Sequence, residues 1–174
     1  MRSRDAYAGL ADLVASRGPA LLATATLLSG GRTAGEDLLQ AALERMMRAW
    51  RRIDGDPEGY LRRTMYHLAV DSWRLRLRRR EVVATVEPPA HSDGTDRLAL
   101  RHALVQALAQ LPPRQRAVLV LRYWEQLSEA EAAAVLGCSV GTVKSSASRG
   151  LARLREITAA WALDESPLRI GAPS

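Results

Sequence analysis

Ser128-Glu-Ala-Glu-Ala-Ala-Ala-Val-Leu-Gly137-Cys138-Ser139-Val-Gly-Thr-Val-Lys-Ser-Ser-Ala-Ser-Arg-Gly-Leu-Ala-Arg-Leu154 reads as two helices around a three-residue turn. Ser128 and Glu131 have the spacing of a capping box, in which the hydroxyl accepts from the amide three residues on and the glutamate reaches back. Gly137 suits the left-handed conformation that ends many helices, and Ser139 can cap a further helix from Val140 to about Arg155. Ala132, Ala133 and Cys138 are small enough for the two helices to cross closely, the geometry of a helix-turn-helix. On the second helix Val140, Val143, Ala147, Leu151 and Leu154 follow the three-and-four spacing of one buried stripe. The opposite face carries Gly141, Thr142, Lys144, Ser145, Ser148 and Arg149, and no acid occurs between Val140 and Arg155. A merely solvated hairpin has no reason to exclude acids. A helix that enters the major groove does, because its neighbours are phosphates and base edges.

Upstream, Leu104, Leu108 and Leu111 mark a helix over 98–111, and Pro112-Pro113 stops it and opens another that runs to about Trp124. Before these lies Thr85–Asp96, where Pro88-Pro89 and the polar run His91-Ser92-Asp93-Gly94 read as a linker. In the first part of the chain, Leu38, Ala42, Met46 and Trp50 form one helical stripe, and Leu61, Met65, Leu68 and Ser72 another. Opposite the second stripe fall Arg63, His67, Val70, Arg74 and Arg78, with Tyr66 and Trp73 at the edge between the faces. Arginines beside aromatics suit single-stranded DNA, since cations follow the backbone and rings stack on unpaired bases. Beta signals are scarce: there is no phenylalanine, and good helix formers dominate. The expected fold is all-α, two small helical domains joined by a flexible linker, the C-terminal one a helix-turn-helix. The expected bounds are 1–84, a linker over 85–96, a second domain over 97–157 and a frayed tail over 158–174.

Composition narrows the function. The 174 residues are 47% hydrophobic, ample for packed cores, and carry a net charge of +6, which favours a polyanionic partner. The single cysteine, Cys138, reads as a small core residue at the turn and can form no internal disulfide. No Cys/His cluster has metal-site spacing, and no nucleophile-base pair or phosphate loop is evident, so neither catalytic residues nor a cofactor are expected. No run of eighteen apolar residues and no signal-peptide core occurs, so a cytoplasmic protein without membrane contact is expected.

Two groups of motifs resemble one family. Leu111-Pro-Pro-Arg-Gln-Arg-Ala-Val-Leu-Val-Leu-Arg-Tyr-Trp124, Leu127-Ser-Glu-Ala-Glu131, Leu136-Gly-Cys-Ser-Val-Gly-Thr-Val-Lys-Ser145 and Ser148-Arg149 closely resemble region four of extracytoplasmic-function (ECF) sigma factors of bacterial RNA polymerase. Ala34-Gly-Glu-Asp-Leu-Leu-Gln40 and Pro57-Glu-Gly-Tyr-Leu-Arg-Arg-Thr-Met-Tyr-His-Leu-Ala-Val-Asp-Ser-Trp-Arg74 resemble region two of the same family. The sole lysine, Lys144, among 25 basic residues fits the composition of GC-rich, actinobacterial-like genomes. The resemblance implies a factor that binds core RNA polymerase at the largest-subunit clamp and at the flap, directs it to promoters and helps melting. It implies double-stranded contacts at −35 through Thr142, Lys144, Ser145, Ser148 and Arg149. It implies single-stranded contacts at −10 through Arg63, Tyr66, His67, Asp71, Trp73, Arg74 and Arg78, and polymerase contacts through Asp37, Leu38 and Gln40. An anti-sigma factor is a further partner that the resemblance admits. Two departures stand out: His67 replaces a common asparagine and Ser146 a common arginine. Two other readings use the same residues. A repressor or activator acting without polymerase has no need of the first domain, and a decoy that titrates an anti-sigma factor has no need of Lys144 and Arg149.

Overall fold

The computed structural model describes residues 8–78 and 96–164, with the side chains of 9–71 and 99–161. Among these residues seven α-helices follow one another: α1 (Ala8–Ser29), α2 (Arg32–Ala49), α3 (Pro57–Arg78), α4 (Asp96–Ala109), α5 (Pro113–Leu119), α6 (Glu129–Leu136) and α7 (Val140–Asp164). A 3-10 turn, Trp50–Arg52, follows α2, and a π-helical turn, Val120–Trp124, prolongs α5. No strand occurs among the described residues. The linker expected over 85–96 falls outside them except for Asp96, which opens α4.

α1 packs on α2 and α3 and, from its second half, on α4, α5 and the π-helical turn. Its buried residues Leu21, Ala25, Leu27 and Leu28 therefore join the cores of both halves of the chain. The crossing with α2 is close because position 35 is a glycine: a Cβ there would lie 2.8 Å from the backbone of Thr26. Ala42 and Met46 fill the rest of that contact, with Leu61 and Met65 of α3 beside them. Leu38 and Trp50, the other members of the expected α2 stripe, are half-buried.

The two halves meet along a polar seam as well as an apolar one. Glu125, just after the π-helical turn, accepts from Thr24 Oγ1 at 2.7 Å and pairs with Arg62 of α3. Arg62 is also held by Glu58 at 2.8 Å, and Glu58 by Arg17 at 3.0 Å. Trp124 Nε1 donates to Thr24 at 3.2 Å. Arg116 is buried and donates to the carbonyls of Leu28, Ala109 and Leu111, so one guanidinium serves the C-terminal ends of α1 and α4. The last turn of a helix leaves carbonyls without intrahelical partners, as at Leu28 and Ala109, and a cation is the charge that the helix dipole favours there.

α7 outruns its expected end near Arg155. Ile157 is buried and Trp161 half-buried against the core, so the apolar stripe continues and the helix with it, through Asp164. No described helix is long and apolar enough to cross a membrane.

Candidate nucleic-acid interface

The helix-turn-helix is built by local chemistry at three points. At the start of α6, Ser128 Oγ accepts from the Glu131 amide at 3.2 Å, and the Glu131 carboxylate accepts from the Ser128 amide at 2.7 Å. The Ser128 hydroxyl first, and the Ser128 amide with it, hydrogen-bond the Glu131 carboxylate and hold it below its ordinary range, since they favour the charged form. At the end of α6, Gly137 takes φ 61° and ψ 42°, and the Cys138 amide reaches back to the Ala133 carbonyl at 3.0 Å. A residue with a Cβ is strained in that conformation. At the start of α7, Ser139 Oγ accepts from the Thr142 amide at 3.2 Å and lies 2.9 Å from the Thr142 hydroxyl. Cys138 is half-buried against the core, as a small residue at a tight crossing should be.

The phase of α7 differs from its expected stripe. Val143 is fully buried, but Val140 is 39% exposed, and Ser146 and Gly150 are buried in its place. Gly150 lets Leu119 of α5 approach, for a Cβ there would stand 3.2 Å from the leucine side chain. Ser146 thus points at the core, where an arginine would lose its hydration. Lys144, Ser148 and Arg149 are exposed, whereas Thr142 and Ser145 are half-buried. The Thr142 hydroxyl is engaged with Ser139, and Ser145 Oγ donates to the Thr142 carbonyl at 3.1 Å.

Lys144 and Ser148 open onto a cleft of about 360 Å³ that sequence reasoning missed; Arg122, Tyr123, Glu129 and Arg155 line it too. Lys144 and Ser148 share their side of α7 with Arg155, and that spacing was the available signal for the last of these. Arg122 comes from the π-helical turn, donates to the Leu127 carbonyl and could not be placed by spacing. Lys144 Nζ stands 3.5 Å from Glu129.

On α3, Arg63, His67 and Asp71 are exposed and one turn apart, forming a single outward row. Tyr66 is not on the surface: it is 1% exposed, and burial pushes its phenol up. It lies one turn beyond Arg62, on the side of α3 that meets the other half of the chain. The side chains of Trp73, Arg74 and Arg78 lie outside the described residues, although the backbone of α3 continues through Arg78. On α2, Asp37 and Gln40 are exposed three residues apart, with Gln40 Nε2 3.4 Å from Glu44, while Leu38 packs against the core. The geometry thus offers a cationic face on α7, a mixed polar row on α3 and an acidic-amide pair on α2.

Comparison with known proteins gives these faces a common context. Residues 13–80 match the family model described as Sigma-70 region 2, and residues 101–154 the one described as Sigma-70, region 4. The RNA polymerase sigma-E factor of Streptomyces coelicolor is 42% identical over 161 residues, 90% of each chain. The chain belongs to the ECF sigma factors. The sigma-E factor of Streptomyces antibioticus is 43% identical over 148 residues, covering 83% of this chain and 82% of its own. Among solved structures, the sigma factor RpoE in complex with the anti-sigma factor NepR from Bartonella quintana matches with a TM-score of 0.67 and 25% identity, over 86% of this chain and 96% of that one. CnrH in complex with the cytosolic domain of CnrY matches with a TM-score of 0.54 and 26% identity, over 86% and 87%. This sigma factor therefore works with core RNA polymerase and promoter DNA in transcription initiation, and sigma factors are not enzymes.

Proposed function

We propose that the sigma factor reads its promoters at two places with separate helices. α7 enters the major groove of the −35 element, where Lys144, Ser148 and Arg149 meet phosphates and base edges, with Thr142 and Ser145 as shorter-range contacts. The outward row of α3, Arg63, His67 and Asp71, with Trp73, Arg74 and Arg78 further along, follows the unpaired −10 strand, and buried Tyr66 stays outside that row. Asp37, Leu38 and Gln40 of α2 are assigned to the polymerase clamp, and the C-terminal half to the flap. The two working units are 1–84 and 97–157, with 85–96 between them and 158–174 beyond, and the protein acts in the cytoplasm. An anti-sigma factor belongs among its partners, a reading supported by the NepR complex of the Bartonella relative.

The observation that carries this reading is the outer face of α7, exposed at Lys144, Ser148 and Arg149 and free of acids between Val140 and Arg155. Transcription in vitro with purified core polymerase, on promoter fragments from the source genome, tests it. Core plus the sigma factor is expected to initiate, and Arg149→Ala to lose promoter selection while still binding core. Initiation that never occurs, with a footprint by the protein alone, would replace this reading with that of a polymerase-independent regulator. Loss of core binding in Arg149→Ala would overturn the division of labour.

A further inference from the structure

Glu129 is the single acid among the residues that line the cleft beside α7, and it faces Lys144 at 3.5 Å. An acid is out of place on a surface that approaches phosphates, because its charge repels them. At the first residue of α6 it is not required for capping, which Ser128 and Glu131 accomplish between themselves. The helix dipole alone favours an acid there, but would do so as well with the side chain turned from the cleft.

We infer that Glu129 is a positioning residue that makes Lys144 selective for base edges over phosphate; the inference rests on the reading of α7 as the −35 helix. With Glu129 alongside, a phosphate drawn to Lys144 also meets a full negative charge. A guanine edge, which offers only the partial charges of O6 and N7, meets much less repulsion. Lys144 therefore gives up phosphate affinity and keeps base affinity, so the ratio of promoter to random-sequence binding rises.

The test measures binding of the full chain to a −35 duplex and to a scrambled duplex across a salt series, for the unsubstituted protein, Glu129→Gln, Lys144→Ala and the double variant. Glu129→Gln should strengthen scrambled-duplex binding about threefold and leave the −35 duplex nearly unchanged, the size expected for one screened charge removed from a phosphate's vicinity. Its log–log salt slope on the scrambled duplex should steepen by roughly 0.9, as one more phosphate is neutralised. On the Lys144→Ala background both changes should vanish. An unchanged ratio and slope in Glu129→Gln would overturn the inference, as would the same changes persisting without Lys144. If Lys144→Ala itself leaves −35 binding untouched, the placement of this face on −35 DNA fails instead, and the two failures are thereby told apart.

Discussion

Replacing Glu125 by alanine removes the acceptor on which the polar seam converges. Its carboxylate, 12% exposed, holds the Arg62 guanidinium from α3 and the buried Thr24 hydroxyl from α1. Deleting one partner of a buried ion pair costs roughly 3–5 kcal/mol, chiefly because the other charge is left without a partner. Here the loss is smaller, since Arg62 keeps Glu58 at 2.8 Å and remains partly in contact with water. Thr24 still accepts from Trp124 but loses its charged acceptor, a bond worth about 1.5–3 kcal/mol. Allowing for water that refills the site, Glu125→Ala should destabilise the folded chain by about 2–3 kcal/mol. Urea unfolding followed by circular dichroism measures this, and a double-mutant cycle with Arg62→Ala should return a coupling of about 1–2 kcal/mol. A loss below about 0.5 kcal/mol with an unchanged m-value would refute the reasoning, for it would mean that the two halves do not rely on this contact in solution.

Other consequences are as direct. Gly35→Ala should cost about 1–3 kcal/mol, since its Cβ meets the Thr26 backbone at 2.8 Å and two helices must part to admit it; thermal unfolding reads the change. Gly137→Ala, forced to φ 61°, should lose about 1–2 kcal/mol in the same assay. Arg149→Ala should weaken −35 duplex binding by about 1–3 kcal/mol if it reads a base, or flatten the salt slope by about 1 if it meets only phosphate, as fluorescence anisotropy will distinguish. Glu58 is held below its ordinary value of 4.5, first by the hydrogen bond from Arg17 and also by Arg62. Its depressed pKa contributes stability that is whole above about pH 4.5 and is lost as pH falls through the lower folded value. Glu58→Gln should therefore flatten the acid limb of the stability curve measured by urea titration at successive pH values.

The chain announces most clearly what nearest neighbours decide. The Ser128 box, the Gly137 stop and the Ser139 cap each involve residues within a few positions of one another, and all three stand as their spacing predicts. The seam was illegible for the opposite reason: Thr24 and Glu125 are 101 positions apart, Arg62 and Glu125 63. Tyr66 illustrates the consequence. A helical projection of α3 puts it at the boundary of the inner stripe, and only the arrival of the second half turns that boundary into interior. Val140 and Ser146 show a subtler limit, because apolar periodicity takes no account of what a small residue admits. Gly150 invites Leu119 close, and the buried side of α7 rotates toward Ser146 as a result. On the outer face of α7, charge pattern singled out Lys144 and Arg149, while the cleft beside that face depends on Arg122 and Glu129 from other elements.

The π-helical turn at Val120–Trp124 has a geometric meaning of its own. The Glu125 amide reaches the Val120 carbonyl at 3.0 Å, five residues back instead of four. One added residue in a turn offsets everything after it by roughly 100° around the axis. Leu119 and Val120, before the offset, answer to the core, whereas Glu125, after it, answers to Arg62 and Thr24. A regular helix would have locked those two alignments together. The wide turn works as a gear change, so that the rod holding the C-terminal half in shape can mesh with the other half at an independent angle.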